Sequence, residues 1–90
     1  MKRLHRFWFE FEKQPWLKAL NLGCGVTAYD YDDALQLLRE KVFVDNDLPK
    51  ILSCAIDVDV TSLDPGHVLP NVGLVIRRGV WFPLGYDPFP

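Results

Sequence analysis

Hydrophobic and polar residues alternate with a period of two near the start of the chain, over residues 4–12. One side of this pattern carries Phe7, Phe9 and Phe11. Trp8 and Glu10 fall on the other side, and such alternation with aromatic residues is typical of a β-strand. Pro15 interrupts the pattern, and a second alternating run covers residues 20–28. The two runs together predict an antiparallel hairpin.

The spacing of hydrophobic residues changes to three and four after residue 30, which predicts a helix over residues 31–43. Asp30 is placed to cap the N-terminus of this helix. Asp32 and Asp33 lie in its first turn, where the helix dipole favours negative charge. The helix should end before Pro49, because the intervening residues are mostly polar.

Two further alternating runs, over residues 52–60 and 80–84, predict a third and a fourth strand. The segment between them is apolar but irregular, and its turn residues exclude a long helix. A right-handed crossover through the helix would place the third strand parallel to a central strand. The prediction is therefore an α+β fold, with a mixed four-stranded sheet, one helix packed on one face and the other face open to solvent.

Composition limits what such a chain can be. Its 90 residues carry a net charge of −2 and include twelve aromatic residues, which suits one small folded domain. We expect that domain over residues 1–85, with a C-terminal tail over 86–90. The charge balance gives no basic field for nucleic acid, and no apolar stretch approaches the length that a membrane span requires. Cys24 and Cys54 are expected to be buried free thiols in a cytoplasmic protein.

A glycine-rich stretch in the second strand resembles the first motif of nucleoside-cofactor methyltransferases. Gly23, Gly25 and Ala28 also match the spacing of a dinucleotide-binding fingerprint. That chemistry needs a second half-fold to close the crevice, which 90 residues cannot supply. The alternative is that the two glycines leave the outer face of the strand bare or mark a bulge. No cofactor is expected.

A second motif, at the end of the third strand, resembles the nucleophile motif of haloacid-dehalogenase phosphatases. Asp57 would attack phosphorus and Asp59 would act as the acid and base, with Thr61 completing the motif. The lysine that this chemistry needs downstream is absent from the sequence after Thr61. The alternative is a pair of solvated carboxylates, and His5 and His67 show no metal-ligand spacing. We therefore expect a protein that is not an enzyme and has neither a catalytic site nor a metal site.

The order of predicted elements is that of the β-grasp fold, and the C-terminal half resembles ubiquitin-like proteins. A glycine turn at Gly66 is followed by Leu69, Leu74 and Val80 at the expected spacing. The resemblance implies that the first and last strands lie side by side in the centre of the sheet. It further implies that Phe82 and Leu84 join the three phenylalanines beneath the helix.

The same arrangement would project Trp8 and Trp81 from the open face of the sheet, with Arg6 and Glu10 nearby. Exposed aromatic side chains are good anchors for protein partners, so we expect an interaction surface or a homodimer contact here. The alternative is that the two tryptophans stack on each other or lie under the C-terminal tail.

Ubiquitin-like modifiers are conjugated through a terminal glycine, and this chain has none. Processing after Gly85 would expose one, so a processing protease and activating or conjugating enzymes are candidate partners. The predicted function is protein–protein interaction, with conjugation through Gly85 as its finer form. The alternative is an inhibitor or immunity-type protein that covers its partner with the acidic residues of 30–33, 45–47 and 57–59.

Overall fold

Four strands and one helix form the frame of the protein. The computed structural model describes residues 3–86, and all structural statements below refer to them. The elements follow in the order β1 (His5–Phe11), β2 (Cys24–Ala28), α1 (Tyr31–Leu37), β3 (Ile51–Ile56) and β4 (Gly79–Phe82). Short 3₁₀ turns cover Pro15–Asn21, Val60–Ser62 and Leu69–Asn71. The first of them replaces the tight turn expected between the first two strands.

The sheet has the order β3-β1-β2-β4, and every pair of neighbouring strands is antiparallel. The α+β class is confirmed, whereas the mixed sheet with a parallel third strand is wrong. The expected central pair of first and last strands is also wrong. The reason is that β2 and β3 occupy the two sides of β1, with Phe7 opposite both Val26 and Ile56, so β4 pairs with β2.

The helix begins where its sequence indicates. The Asp30 side chain accepts a hydrogen bond from the backbone N–H of Asp33 at 2.8 Å, which is the predicted N-cap. After Leu37 the helix widens into a π-helical turn, Leu38–Val42, which ends close to the predicted boundary. The backbone N–H of Phe43 donates to the carbonyl of Leu38, five residues earlier, at 2.8 Å. This wider turn carries the Phe43 side chain into the core, where it is buried.

A first core, the helix-side core, fills the space between α1 and the sheet. The three phenylalanines of β1 lie at its centre, as predicted. They pack with buried aliphatic residues from every neighbouring element: Leu17, Leu20, Val26, Ala34, Leu37, Leu38 and Val80. Tyr86, the first residue of the expected C-terminal tail, is half-buried against the same core. The packed domain therefore reaches at least to this residue.

The other face of the sheet is not open to solvent, contrary to expectation. Residues 57–78, which we call the cover segment, lie across it and form a second core. This core contains Trp8, Trp81, Phe82 and Val68, with further cover-segment side chains packed against them: Val58, Val60, Leu63, Val72 and Val75. Two hydrogen bonds hold the cover segment on the sheet. The backbone N–H of Gly73 donates to the carbonyl of Trp81 at 2.7 Å, and the hydroxyl of Thr27 donates to the carbonyl of Val75 at 2.6 Å. The sheet is thus covered on both faces.

A β-bulge decides which face Phe82 takes. The register between β2 and β4 shifts between Gly25 and Val26, so Val80 lies opposite Val26 while Phe82 lies opposite Gly25. The extra residue reverses the side-chain alternation, and Phe82 joins Trp81 in the second core. The prediction that Phe82 and Leu84 pack beneath the helix is therefore wrong, and Leu84 is 53% exposed.

Two glycines in and beside β2 give the tryptophans of the second core their space. A Cβ atom on Gly23 would collide with the ring of Trp8, and one on Gly25 would collide with the ring of Trp81. The sequence therefore needs glycine here because an indole lies directly against the backbone. The interpretation that the two glycines leave this face of the strand bare and mark a bulge is confirmed. The packing of the indole rings therefore explains Gly23 and Gly25 without a bound phosphate or ribose.

We predict that Gly25→Ala lowers the free energy of unfolding by about 1–3 kcal/mol, because the added methyl group overpacks the Trp81 ring. In a domain of this size that corresponds to a fall in Tm of roughly 5–20 °C. Thermal unfolding followed by circular dichroism measures the change. Gly66→Ala is the matched control, since its Cβ would meet only a side-chain oxygen of Asp64 at 3.4 Å. Equal melting temperatures for both variants would contradict the packing explanation.

Candidate functional site

The two tryptophans expected to form an interaction surface are buried. Trp8 is 7% exposed and Trp81 is 1% exposed, and their rings stack with centroids 5.9 Å apart. The ring of Phe82 packs on Trp8 from another side, at 5.5 Å. The expectation that they project into solvent is wrong, because the cover segment lies over them. The alternative, in which the two rings stack on each other, is confirmed.

The polar residues expected beside the tryptophans do not complete a surface there. Arg6 is half-buried, and its Nε donates to the carbonyl of Val58 at 3.3 Å, so it ties β1 to the cover segment. Glu10 is exposed on β1, opposite Ser53 of β3. The four predicted residues therefore do not share an accessible patch.

Gly85 lies three residues beyond the end of β4. It is exposed and adopts a positive φ of 104°, and a Cβ atom there would meet nothing within 4 Å. Pro83, two residues before it, is buried. Tyr86, directly after Gly85, is half-buried against the helix-side core, so the predicted processing point lies between two packed residues. Residues 87–90 of the predicted tail lie outside the described part of the chain.

An open groove of about 470 Å³ lies at the rim of the helix-side core. We call it the Trp16 groove. Its lining comes from three parts of the chain: the 3₁₀ turns before β2, the end of the helix, and the residues after β4. Trp16, Phe43, Leu84 and Tyr86 are the large side chains among its lining residues. Lys18 is the one charged lining residue within the described chain.

Trp16 is the most notable residue of this groove. Its side chain is 49% exposed, yet its ring meets the buried ring of Phe43 edge-to-face at a centroid distance of 6.4 Å. The neighbouring Leu17 and Leu20 are buried and anchor the turns that carry it. Two hydrogen bonds close these turns. The backbone N–H of Gln14 donates to the side-chain oxygen of Asn21 at 3.0 Å, and the side-chain amide of Asn21 donates to the carbonyl of Gln14 at 2.9 Å. Trp16 is therefore held on turns that are anchored in the core, while half of its side chain faces solvent.

Sequence reasoning did not identify Trp16. The pattern predicts a turn around Pro15 and gives no role to the aromatic residue that follows. An aromatic residue that falls outside both alternating runs is the available signal, because such a residue has no assigned place on a sheet face.

Several acidic residues of the three predicted clusters form contacts within the chain. Asp33 pairs with Arg78 at 2.6 Å and also accepts from the backbone of Tyr29. Asp57 pairs with His5 at 2.9 Å. The Asp33–Arg78 pair links the start of the helix to the residue before β4. The Asp57–His5 pair links the residue after β3 to the start of β1. Asp32, Asp45 and Asp47 remain exposed on the surface.

The phosphatase-like motif has a structural use. Asp59 caps the 3₁₀ turn Val60–Ser62 and accepts hydrogen bonds from both the backbone and the hydroxyl of Thr61. These bonds hold the pKa of the Asp59 carboxyl below its ordinary value. Asp57 binds His5 instead. Within residues 3–86 no three potential metal-ligating side chains come together.

The two cysteines differ in their surroundings. Cys24 is fully buried in the helix-side core, and burial raises the pKa of its thiol far above the ordinary range. Cys54 lies on the outermost strand and is only partly buried, which also raises its pKa. Both are free thiols. The expectation of two buried thiols thus holds for Cys24 and is wrong for Cys54, because β3 lies at the edge of the sheet.

No family model, no curated protein and no solved structure matches this chain. Among the described residues there is also no helix of the length and hydrophobicity needed to cross a membrane.

We predict that one thiol per chain reacts readily with a disulfide reagent at pH 8 and that the second reacts only after unfolding. Thiolate is the reactive form, and Cys24 is both inaccessible and poorly ionised. Absorbance titration of the native and the denatured protein counts the two classes. In Cys54→Ser the fast class should disappear, whereas in Cys24→Ala it should persist. Fast reaction of both thiols in the native protein would contradict the burial of Cys24.

Proposed function

We propose that the protein acts by protein–protein interaction and that the Trp16 groove is its binding surface. The observation that supports this is the half-exposed Trp16 ring, supported from below by the buried Phe43. Tryptophan is enriched among the residues that contribute most to binding, because it buries a large area on contact and loses little rotamer freedom. Because the Trp16 ring already packs on Phe43, it loses even less rotamer freedom when a partner binds.

The groove also favours a particular chemistry in its partner. Its aromatic and aliphatic lining suits an apolar or aromatic side chain, which would be removed from water between Trp16 and Tyr86. Lys18 adds a positive charge at this site. We therefore propose an extended segment of another protein that carries an apolar side chain next to an aspartate or glutamate.

The finer form of this proposal is a ubiquitin-like modifier that is conjugated through Gly85. It is supported by the exposure of Gly85, by the turn at Gly66 and by the 3₁₀ turn that Leu69 begins. The position of β2 between β1 and β4 departs from the expected β-grasp order. We therefore keep conjugation through Gly85 as a hypothesis separate from the groove proposal.

The second candidate is an inhibitor that uses its acidic residues to cover a partner. It depends on the exposed carboxylates of Asp32, Asp45 and Asp47, which make no ion pair among the described residues. The contacts of Asp33, Asp57 and Asp59 within the chain reduce the charge available for this role. The groove therefore has the stronger physical basis.

For the groove, we predict that peptides selected on the full chain from a random displayed library share an apolar or aromatic residue beside an acidic one. A selected peptide should bind Trp16→Ala at least ten times more weakly, because truncation removes the aromatic wall. Lys18→Gln should weaken binding less and reduce its dependence on salt. Titration calorimetry on the synthetic peptides measures these affinities.

Ile76→Ala serves as the matched control, since Ile76 is 78% exposed and lies on the cover segment, away from the lining of the groove. Its affinity should stay within twofold of the unmodified protein. The groove proposal fails if Trp16→Ala and Ile76→Ala bind equally well, or if the library yields no specific peptide.

For Gly85, the conjugation hypothesis predicts loss of residues 86–90 and attachment of the remaining chain to other proteins. Intact-mass analysis of the protein, purified from its own cells, detects both events, and Gly85→Ala should abolish them. A chain that remains full-length and unlinked would reject conjugation without affecting the groove proposal.

A further inference from the structure

The last described residue of the chain is part of the wall of the Trp16 groove. Tyr86 lines this groove together with Trp16 and Lys18, and its side chain is half-buried against the helix-side core. The next residues in the sequence, 87–90, read Asp-Pro-Phe-Pro. An extended chain advances at most about 3.3–3.6 Å per residue, so these residues can span roughly 14 Å from Tyr86. The groove that contains Tyr86 is therefore within their reach.

The chemistry of residues 87–90 is complementary to that of the groove. The lining is mainly aromatic and aliphatic, and Lys18 is its one charged residue within the described chain. Phe89 offers an aromatic ring that such a lining can remove from water. Asp87, two residues before it, offers a negative charge for Lys18. An apolar side chain close to an acidic one is also the ligand that the lining alone favours.

The two prolines make the segment suitable for binding in a groove. Asp87 and Phe89 each precede a proline, and a residue in that position is disfavoured in the helical conformation and favoured in an extended one. Proline-containing extended segments dock in aromatic-lined grooves in other recognition systems, because little conformational freedom is left to lose on binding. The aromatic rings of Trp16 and Tyr86 provide a lining of this kind.

We propose that residues 87–90 bind in the Trp16 groove of the same molecule, with the Phe89 ring against Trp16 and the Asp87 carboxylate near Lys18. The inference rests on the groove of the proposed function and names a sequence that binds there. Direct attachment to Tyr86 favours this occupant, since a short connection holds a segment at an effective concentration in the mM range. An outside partner therefore has to displace the segment before it can bind.

Tryptophan fluorescence tests the occupancy of the groove without any partner. The chain has three tryptophans, and Trp8 and Trp81 are buried, so a collisional quencher such as acrylamide reaches mainly Trp16. We compare the unmodified chain with a variant in which residues 87–90 are replaced by Gly-Ser-Gly-Ser. The quenching constant of this tail variant should be at least about twice that of the unmodified chain, because a segment that is bound most of the time shields the ring.

Single substitutions assign the effect to the proposed contacts. Phe89→Ala should reproduce most of the increase in quenching. Asp87→Asn should produce a smaller increase, and high salt should weaken the shielding in the unmodified chain, because both act on the attraction to Lys18. In a Trp16→Phe background, the unmodified tail and the Gly-Ser tail should give equal quenching. Leu74→Ala is the matched control, since Leu74 is exposed on the cover segment and does not line the groove.

The affinity of an outside peptide separates this inference from the proposed function. A groove that is free in about a tenth of the molecules binds a partner about ten times more weakly than a groove that is always free. A peptide selected on the unmodified chain should therefore bind the tail variant about ten times more tightly. Equal affinities, with Trp16→Ala still weakening the peptide, would overturn the inference and leave the groove proposal intact. If neither chain selects a specific peptide, the proposed function fails, and the quenching comparison still decides the inference.

Equal quenching constants for the unmodified chain and the tail variant overturn the inference. Shielding of Trp16 that increases with protein concentration also overturns it, because the segment would then occupy the groove of a second copy. Sedimentation over the same concentrations should give a mass of 10.4 kDa throughout. Circular dichroism of each variant shows that the fold is retained.

Discussion

The close contact between two indole rings and two glycines determines the architecture of this protein. Trp8 and Trp81 stack on each other and lie against the backbone at Gly23 and Gly25. Neither ring would fit if these two positions carried side chains. Once two large aromatic rings occupy one face of a small sheet, exposing them to water would be costly, so a second layer has to cover them.

The cover segment supplies that layer without regular secondary structure. Its valines and Leu63 pack on the tryptophans, while 3₁₀ turns and side-chain caps satisfy part of its backbone. Arg6 and Thr27 reach from the sheet to its carbonyls. A chain of 90 residues thus builds two cores on one sheet, which compensates for the small volume available to a single core and leaves both thiols free.

Local patterns predicted the local elements well. The alternation in β1, the capping by Asp30 and the small residues at Gly23 and Gly25 each reflect interactions within a few residues or across one strand. The errors concern longer-range choices. Alternation separates the two faces of a strand, but it does not show which face is buried. For this reason it predicts Trp8 and Trp81 in solvent, although both are buried. Phe82 was misplaced because a bulge shifts its register, which depends on pairing with a distant strand. The same limitation applies to the strand order, since several orders satisfy the same sequence of elements.

The position of Trp16 follows the same reasoning. Within residues 3–86 the other tryptophans and the phenylalanines lie in the two cores, whereas the Trp16 ring stays half in water, on turns that do not belong to the sheet. Burying both sheet faces also removes the surface that flat sheets commonly offer to partners. The proposed binding surface therefore lies at the rim of the sheet, where the Trp16 groove opens and a side chain of a partner would be buried among aromatic rings.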